Sequence, residues 1–220
     1  MTADMNKSSA IIISRPIGLA FLSLYAVQLV AIIILVWLYY QQTVTISEQG
    51  KRIKELENKL EILNIIENYQ IGFTLDETRQ IADVIYEDCG RFGIDPLLVL
   101  SMIITESSFK KDQLSPVGAM GLMQIKPSIG LDVSRKWNIE WPSARGLGNP
   151  VFNVRIGIAY LFELIYKFGE IKKAVIAYNL GETVTREYFL LRATPPDHYY
   201  ERVKRTYFQL RRIVDNQKRP

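Results

Sequence analysis

The stretch FGIDPLLVLSMIITESSF, residues 92–109, predicts an almost wholly apolar helix. Asp95 can cap the start of this helix, and Pro96 can occupy its first turn. A helix that is apolar on every side has no face for water, so it must be buried. The helix therefore belongs to the core of a folded domain, and a carboxylate, Glu106, stands at its C-terminal end.

Glu106 is the residue of this helix whose chemistry needs an explanation. A carboxylate beside apolar turns costs free energy unless it is paired or keeps its proton. The C-terminal end of a helix and desolvation both raise the pKa of a carboxyl, as a general acid working near neutral pH requires. Alternatively, Glu106 forms a structural ion pair with Lys110 or Lys111. The residues alone leave both interpretations open.

Helix start and stop signals divide the sequence from residue 74 onward into several further helices, and no hairpin signal stands out. The signals are a capping box at Thr74 and Glu77, an end at Gly90 or Gly93, a start at Asn149 and Pro150, an end at Gly169, and a last start after Pro195 and Pro196. The pattern predicts an all-α domain over residues 74–213. The basic residues 214–220 are interpreted as a solvated C-terminal tail.

The N-terminal region contains an uncharged stretch of 24 residues, 17–40. A helix of that length rises about 36 Å, enough to cross a hydrocarbon core of about 30 Å. Apolar regions of signal peptides are shorter and precede a cleavage site, so the stretch predicts an uncleaved membrane anchor. Lys7 and Arg15 precede it, which favours a cytoplasmic tail over residues 1–16 and an exported body. We expect a single-pass protein of the bacterial inner membrane with a periplasmic domain.

Residues 41–73 predict a helical stalk after the anchor. Its apolar positions alternate at spacings of three and four, and they are Ile46, Ile53, Leu56, Leu60 and Leu63. Such a seam is typical of a short coiled coil, although three heptads are few. The stalk could form a homodimer, contact a partner in an envelope complex, or pack against the domain.

The scarcity of some residue types excludes several kinds of site. One histidine, His198, and one cysteine, Cys89, are too few for a zinc site of the usual His/Cys ligand count. No nucleophile elbow or Gly-rich phosphate loop is present. The net charge of +4 is small, so we predict no nucleic-acid partner. Cys89 lies on an apolar helical stripe and is interpreted as packed. We expect no metal and no cofactor.

Two short segments carry polar groups of the kind that sugars need. SPVGAMGLMQIKP, residues 115–127, places three small residues next to Gln124, and AYNLG, residues 177–181, places a tyrosine and an amide beside a glycine. The second segment is also consistent with a helix C-cap that has Gly181 in the left-handed conformation. Amides, hydroxyls and aromatic rings suit sugar rings, whereas a phosphate site would need clustered arginines.

Four segments in this order resemble the lytic transglycosylases with a goose-type lysozyme-like domain, the soluble lytic transglycosylase family. They are FGIDPLLVLSMIITESSF, SPVGAMGLMQIKP, NPVFNVRIGIAYL and AYNLG. The resemblance runs from about Asp76 to about Val203 and implies a lysozyme-like helical fold. It also implies that peptidoglycan glycan strands are the substrate.

The resemblance implies a role for seven residues. Glu106 corresponds to the single catalytic acid/base of the family, and Ser115 to the serine that hydrogen-bonds this acid. The residues implied to bind substrate are Ser115, Met123, Gln124, Tyr178, Asn179 and Tyr199. The implied reaction cleaves the β-1,4 bond between N-acetylmuramic acid and N-acetylglucosamine and leaves 1,6-anhydromuramic acid ends.

Two other functions stay open at this point. A lysozyme-like muramidase would use the same acid but would need a second carboxylate, for which Asp112, Glu182 and Asp197 are candidates. An inactive glycan-binding or scaffolding module of an envelope complex would also fit the anchor and the stalk.

The sequence departs from the pattern of the family at three places. Leu180 and Glu182 stand where alanine and proline are usual, and residues 195–198 replace a common Glu-Thr pair. Lys126 stands where an apolar residue is common. We expect these departures to change the edge of the cleft.

Overall fold

The computed structural model describes residues 15–141 and 146–217, and the chain divides into two compact units, Met1–Lys54 and Glu55–Pro220. Most of the predicted tail 1–16 lies outside the described residues. The α-helices of the described part are α1 Arg15–Tyr69, α2 Leu75–Phe92, α3 Pro96–Ser107, α4 Pro127–Lys136, α5 Pro150–Phe168, α6 Ile171–Leu180, α7 Glu182–Leu190 and α8 His198–Gln217. A short 3₁₀ helix covers Gly146–Gly148. The predicted all-α class is confirmed.

The first unit consists of the N-terminal part of α1. In the part of the chain that the structure describes, α1 is the one helix long and apolar enough to cross a membrane, with a mean hydropathy of 2.7 in its most apolar window and no residue of that window buried. Ile46 and Ile53, two positions of the predicted stalk seam, are also exposed. Residues 19–54 are all exposed, because a lone helix has no second element to pack against.

The second unit begins at Glu55, earlier than the start at residue 74 that the sequence analysis expects. The last turns of α1 pack in this unit through a buried stripe that consists of Ile62, Ile65 and Ile66. Lys59 forms an ion pair with Asp83 of α2, with 3.0 Å between Nζ and Oδ1. The stripe lies beside the predicted seam, of which Leu63 packs against the core while Leu56 and Leu60 stay exposed. The heptad pattern therefore identifies the helix but not the face that packs.

The predicted helix caps of the domain are present. Thr74 and Glu77 form a reciprocal capping box at the start of α2, which ends before Gly93 in the left-handed conformation. The same kinds of signal bound the central helices, where Asp95 and Pro96 start α3, Asn149 and Pro150 start α5, and Gly169 ends α5. Local chemistry within three residues thus sets where these helices begin and end.

The core is built around α3 and α5. Helix α3 packs against α2 and α8, and α5 packs against α2, α4 and α6. Leu100, Met102 and Ile103 of α3 are fully buried, as the apolar composition of that helix predicts. Burial of this helix places its last turn, which carries Glu106, at the edge of the core.

The C-terminal helix is longer than the sequence analysis predicts. Helix α8 continues to Gln217, and Val214 is only 3% exposed. Part of the segment interpreted as a solvated tail, residues 214–220, therefore belongs to the packed helix, because Val214 continues the apolar stripe of Leu210. The last three residues lie outside the described part of the chain. Helix α4 and the 3₁₀ helix are further elements that the sequence analysis does not identify.

Cys89 is packed inside the domain, as predicted. Its side chain is 1% exposed, on the face of α2 that also buries Ile81 and Ile85. Burial raises the pKa of the Cys89 thiol far above its usual range. The thiol is therefore protonated and unreactive at neutral pH.

Candidate active site

A cleft of about 250 Å³ opens beside the end of α3. The residues that line it are Glu106, Ser115, Val117, Ala119, Gln124, Ile125, Lys126, Ile129, Tyr160, Tyr178, Asn179, Leu180 and Gly181. Five of the seven predicted site residues lie in this lining, and Tyr199 contacts one of them. Met123 does not line the cleft. The fold thus brings together segments that are separated by up to 75 positions in the sequence, from residue 106 to residue 181.

Glu106 lies in the last turn of α3, and the backbone that follows turns sharply away. Ser108 and Phe109 both have positive φ angles, 52° and 55°, which end the helix. Phe109 is fully buried and anchors this turn in the core. Because the helix does not continue, Lys110 is not one helical turn beyond Glu106, and the predicted pairing geometry does not arise.

The environment of Glu106 favours the protonated carboxyl. Burial raises its pKa, against the opposing effects of a hydrogen bond from Tyr199 and of the positive charge of Arg202. Among the described residues, no lysine or arginine forms an ion pair with Glu106. Lys111 instead pairs with Glu77, with 2.5 Å between Nζ and Oε1. The structural ion pair of Glu106 with Lys110 or Lys111 is therefore not formed, and burial shifts the pKa of Glu106 in the direction that a general acid requires.

Tyr199 positions the Glu106 carboxyl. Its hydroxyl donates a hydrogen bond to Oε1 of Glu106 over 2.6 Å, and its ring is almost fully buried. The guanidinium of Arg202 lies 5.8 Å from the centre of the Tyr199 ring. Burial and the nearby Glu106 raise the pKa of Tyr199 well above its usual range, so the phenol stays a neutral donor. Tyr199 therefore contacts the carboxyl of Glu106 and does not itself line the cleft.

The segment 115–126 forms a tight loop, which is held by hydrogen bonds within the segment. The Ala119 amide donates to Oγ of Ser115 over 2.9 Å, and the Ser115 amide donates to the Ala119 carbonyl over 2.9 Å. Among the described residues, Ser115 forms no hydrogen bond with Glu106. Its hydroxyl hydrogen stays available as a donor at the wall of the cleft. The hydrogen bond between Ser115 and Glu106 that the resemblance implies is therefore not formed in this structure.

Gln124 occupies a strained position at the floor of this loop. Its φ angle is 47°, and its Nε2 group donates to the carbonyls of Gln113 and Gly121 over 3.1 and 2.9 Å. The side-chain amide hydrogens thus hold the loop. The amide oxygen is the group that Gln124 can offer to a ligand in the cleft.

Asn153 holds the loop to α5, and the sequence analysis gives it no role. Its Oδ1 accepts from the Met123 amide over 2.8 Å, while its Nδ2 donates to the carbonyls of Met120 and Leu147 over 2.8 and 3.0 Å. The side chain is fully buried. Gly121 is required here, since a Cβ at that position would come within 2.6 Å of Cγ of Asn153. The signal in the sequence is an amide in the middle of the apolar helix NPVFNVRIGIAYL.

Met123 requires a correction, because its side chain is fully buried and makes no part of the cleft. It packs against Gly157 of α5, where an added Cβ would lie 2.8 Å from the Met123 Cβ. Its carbonyl accepts a hydrogen bond from the Tyr178 hydroxyl over 2.9 Å. Met123 is therefore part of the structural support of the cleft.

Tyr178 and Asn179 come from the end of α6. The Tyr178 ring lines the cleft, and burial together with the nearby Glu106 raises the pKa of its hydroxyl well above the usual range. Asn179 is exposed and lines the cleft. Tyr160 of α5, which the sequence analysis does not identify, lines the same wall, and burial raises its pKa to about 12. The wall is thus aromatic, with one accessible amide at its end.

Gly181 joins α6 to α7 in a conformation that differs from the predicted left-handed cap. Its φ is 94° and its ψ is 146°, a region that only glycine adopts without strain. Its amide donates to the Ala177 carbonyl over 2.9 Å and closes α6. The glycine therefore caps the helix, and it also turns the chain directly into α7.

Two acids at positions that depart from the family pattern, Glu182 and Asp197, form ion pairs outside the cleft. Glu182 forms ion pairs with Lys167 and Arg186 at 2.6 and 2.9 Å, and Asp197 pairs with Lys172 at 3.0 Å. Neither acid lines the cleft. Glu106 is therefore the one carboxylate among the described residues that line it.

A family model described as Transglycosylase SLT domain matches residues 83–200, a range that contains all seven predicted site residues. The chain is 41% identical over 87 residues to membrane-bound lytic murein transglycosylase C of Histophilus somni, which covers 39% of this chain and 24% of that relative. It is 45% identical over 73 residues to endo-type membrane-bound lytic murein transglycosylase A of Klebsiella pneumoniae, which covers 32% of this chain and 36% of that relative.

The crystal structure of the 70 kDa soluble lytic transglycosylase of Escherichia coli shares the helical fold. It superposes with a TM-score of 0.56 and 24% identity, over 63% of this chain and 25% of that chain. The chain thus matches about a quarter to a third of the length of these relatives.

Proposed function

The chain belongs to the transglycosylase SLT domain family, and from this premise we propose that it is a membrane-anchored lytic transglycosylase that cleaves peptidoglycan with Glu106 as its only acid/base. The observation that carries the proposal is a single half-buried carboxyl group, Glu106, whose pKa is raised by burial and which lies at the wall of an open cleft. A general acid must be protonated before the reaction and must reach the leaving oxygen. Burial supports the first condition because it raises the pKa of Glu106, and the position of Glu106 at the cleft supports the second.

The first step is the transfer of the Glu106 proton to the glycosidic oxygen between N-acetylmuramic acid and N-acetylglucosamine. The bond from this oxygen to C1 of the muramic acid breaks, and positive charge develops at C1. The N-acetyl group of the substrate assists at C1, which replaces a protein nucleophile. Asn179 and the amide oxygen of Gln124 offer hydrogen bonds that hold the sugar in place.

The second step uses the same side chain in its ionised form. Glu106 removes the proton from the 6-hydroxyl of the muramic acid, and this oxygen bonds to C1 to close a 1,6-anhydro ring. The carboxyl is thereby protonated again, and no water is consumed. The Tyr199 hydroxyl donates to Glu106 Oε1 throughout and stabilises the ionised form between the two steps.

Hydrolysis is the second candidate, and the identity of the products distinguishes the two reactions. A water nucleophile needs a second carboxylate at the cleft. Glu182 and Asp197 are paired with cations outside the cleft, and Asp112 does not line it either. We expect mass spectrometry of digested sacculi to find ends that are one water lighter than reducing ends. Reducing ends alone would establish a muramidase, and intact sacculi would leave a glycan-binding module.

Replacing Tyr199 with phenylalanine is expected to raise the pKa of Glu106 further. The hydrogen bond from Tyr199 lowers this pKa, so its removal leaves burial less opposed. The reaction needs the protonated acid, and therefore kcat/KM falls as the pH rises through the pKa of Glu106. We expect this alkaline limb of the pH profile to move to higher pH in Tyr199→Phe.

The matched control is Tyr207→Phe, on the same helix. The Tyr207 hydroxyl donates to Asp95 over 2.7 Å, away from the cleft, so its removal should leave the limb in place. An alkaline limb at the same pH in Tyr199→Phe and in the parent would contradict the role of Tyr199.

The location of the protein completes the proposal. Residues 17–40 cross the inner membrane once, the tail 1–16 stays in the cytoplasm, and the catalytic domain lies in the periplasm. The apolar composition of residues 17–40 and the positive charges of Lys7 and Arg15 before them support this arrangement. A reporter enzyme that is active only outside the cytoplasm, fused after Gln217, should be active, and an inactive fusion of full length would reverse the orientation.

A further inference from the structure

The side chains that line the cleft carry an unbalanced charge. Among the described residues that line it, the ionisable side chains of acids and bases are Glu106, Lys126 and two tyrosines. Burial favours the neutral form of Glu106, and the raised pKa values of Tyr160 and Tyr178 keep both phenols neutral. Lys126 is exposed, and no carboxylate of the described chain forms an ion pair with it. The cleft therefore presents one uncompensated positive charge to a ligand.

The backbone fixes the place from which the Lys126 side chain extends. The carbonyl of Lys126 accepts from the Gly130 amide over 2.9 Å, and Ile125 before it exchanges two hydrogen bonds of 3.0 Å with Met120. Pro127 follows and restricts the backbone of Lys126 to the extended region, where its ψ is 139°. The ammonium group is thus carried on a rigid base at the cleft, while its flexible side chain can adjust to a charged ligand.

The chemistry of the proposed substrate supplies the matching charge. N-acetylmuramic acid carries a lactyl group on O3, and this group ends either in its own carboxylate or in a peptide that carries carboxylates. A glycan strand that enters the cleft to place a glycosidic oxygen at Glu106 brings such a group with each muramic acid. An N-acetylglucosamine homopolymer brings none.

We propose that Lys126 binds a carboxylate of the substituent on muramic acid O3, and that this contact makes the cleft selective for acidic glycan strands. The inference rests on the proposed function and deepens it, because it names the charged part of the substrate that this chain recognises. Lys126 acts as a specificity residue and takes no part in proton transfer.

The expected effect is moderate, because the ammonium is exposed and ions screen it. Replacing Lys126 with methionine keeps the length of the side chain and removes the charge. We expect KM for acidic strands to rise roughly two- to fivefold with kcat almost unchanged, the range that a solvent-exposed ion pair supports. Lys126→Glu should raise KM further, since like charges repel. Added salt should raise KM of the parent more than KM of Lys126→Met.

The experiment compares three soluble substrates with the full chain in detergent. They are glycan strands that keep their peptides, strands from which an amidase has removed the peptides, and peptide-bearing strands whose carboxylates have been converted to amides. Lys110→Met is the matched control, since Lys110 is also exposed and has no ion-pair partner in the described chain but does not line the cleft. Thermal unfolding of each variant checks that the fold is unchanged.

The pattern across substrates identifies the carboxylate. A rise in KM for Lys126→Met on peptide-bearing strands alone assigns the peptide carboxylates, and a rise on stripped strands alone assigns the lactyl carboxylate. A rise on both shows that Lys126 binds either carboxylate. An unchanged KM on both acidic substrates, or an equal rise on the amidated one, would overturn the inference. A parent protein that cleaves none of the three would overturn the proposed function itself, which separates the two failures.

Discussion

Glu106→Gln is expected to fold like the parent and to lose about 10²- to 10⁴-fold of its turnover of purified peptidoglycan, the contribution of a positioned general acid. The amide keeps the shape of the side chain and can still accept the hydrogen bond from Tyr199. It has no proton that it can transfer to the glycosidic oxygen. Release of soluble muropeptides from sacculi, followed by chromatography, measures the loss.

Glu187→Gln is the control, because Glu187 is an exposed acid of α7 outside the cleft. This variant should turn over sacculi at the rate of the parent. A Glu106→Gln variant with the turnover of the parent would remove Glu106 from the mechanism.

The same substitution should also change how stability depends on pH. The folded state raises the pKa of Glu106 above its ordinary value of 4.5, so the folded protein holds a proton that the unfolded chain releases. The free energy of unfolding of the parent therefore falls as the pH rises from the ordinary pKa toward the raised one. In Glu106→Gln this group no longer titrates, so the free energy of unfolding should fall less over the same pH range. Burial of an ionisable acid thus lowers stability at neutral pH while it supports function.

Asn153→Ala is expected to lower the free energy of unfolding by about 3–5 kcal/mol, since each buried polar group left without a partner costs about 1–3 kcal/mol. The substitution leaves the Met123 amide and the Leu147 carbonyl without this partner, and it removes one of the two hydrogen bonds of the Met120 carbonyl, which keeps the bond from the Ile125 amide. Urea denaturation followed by circular dichroism measures the change. Turnover at a temperature where the variant is folded should also fall, because Gln124 is carried on the same loop.

Asn149→Ala is the matched control on the same helix. Asn149 caps α5 through one hydrogen bond to the Phe152 amide over 3.0 Å and is close to solvent. Loss of a cap of this kind costs about 1 kcal/mol. Equal destabilisation by the two variants would show that Asn153 does not hold the loop 115–126 to α5.

The helix boundaries were predictable because their causes are local. The capping box of Thr74 and Glu77 and the Asp95–Pro96 start each involve groups within three positions of one another. The apolar composition of α3 also predicts its burial directly. Glu106 stands out for the same reason, as a carboxylate at the end of a helix that water does not reach.

The support of the cleft could not be predicted in the same way. Asn153 and Met123 are 30 positions apart, and their contact depends on how α5 packs against the loop. In the sequence Met123 adjoins Gln124 and looks equally available to a ligand. Only the close approach of Gly157, which leaves room for the methionine side chain, assigns it to the interior.

The end of α1 shows a limit of periodicity. A heptad pattern predicts a helix and one apolar seam, but Ile62, Ile65 and Ile66 form a second stripe beside it. Which of the two stripes packs depends on the shape of the domain, and the helix itself does not contain that information. The ion pair of Lys59 with Asp83 belongs to the same tertiary contact.

The single buried thiol described above bears on how the domain matures. Two cysteines are needed for a covalent cross-link, and these 220 residues contain one, Cys89. The tertiary structure therefore rests on packing, hydrogen bonds and ion pairs, with no covalent link between elements. The domain described here therefore needs no thiol oxidase to reach its native state.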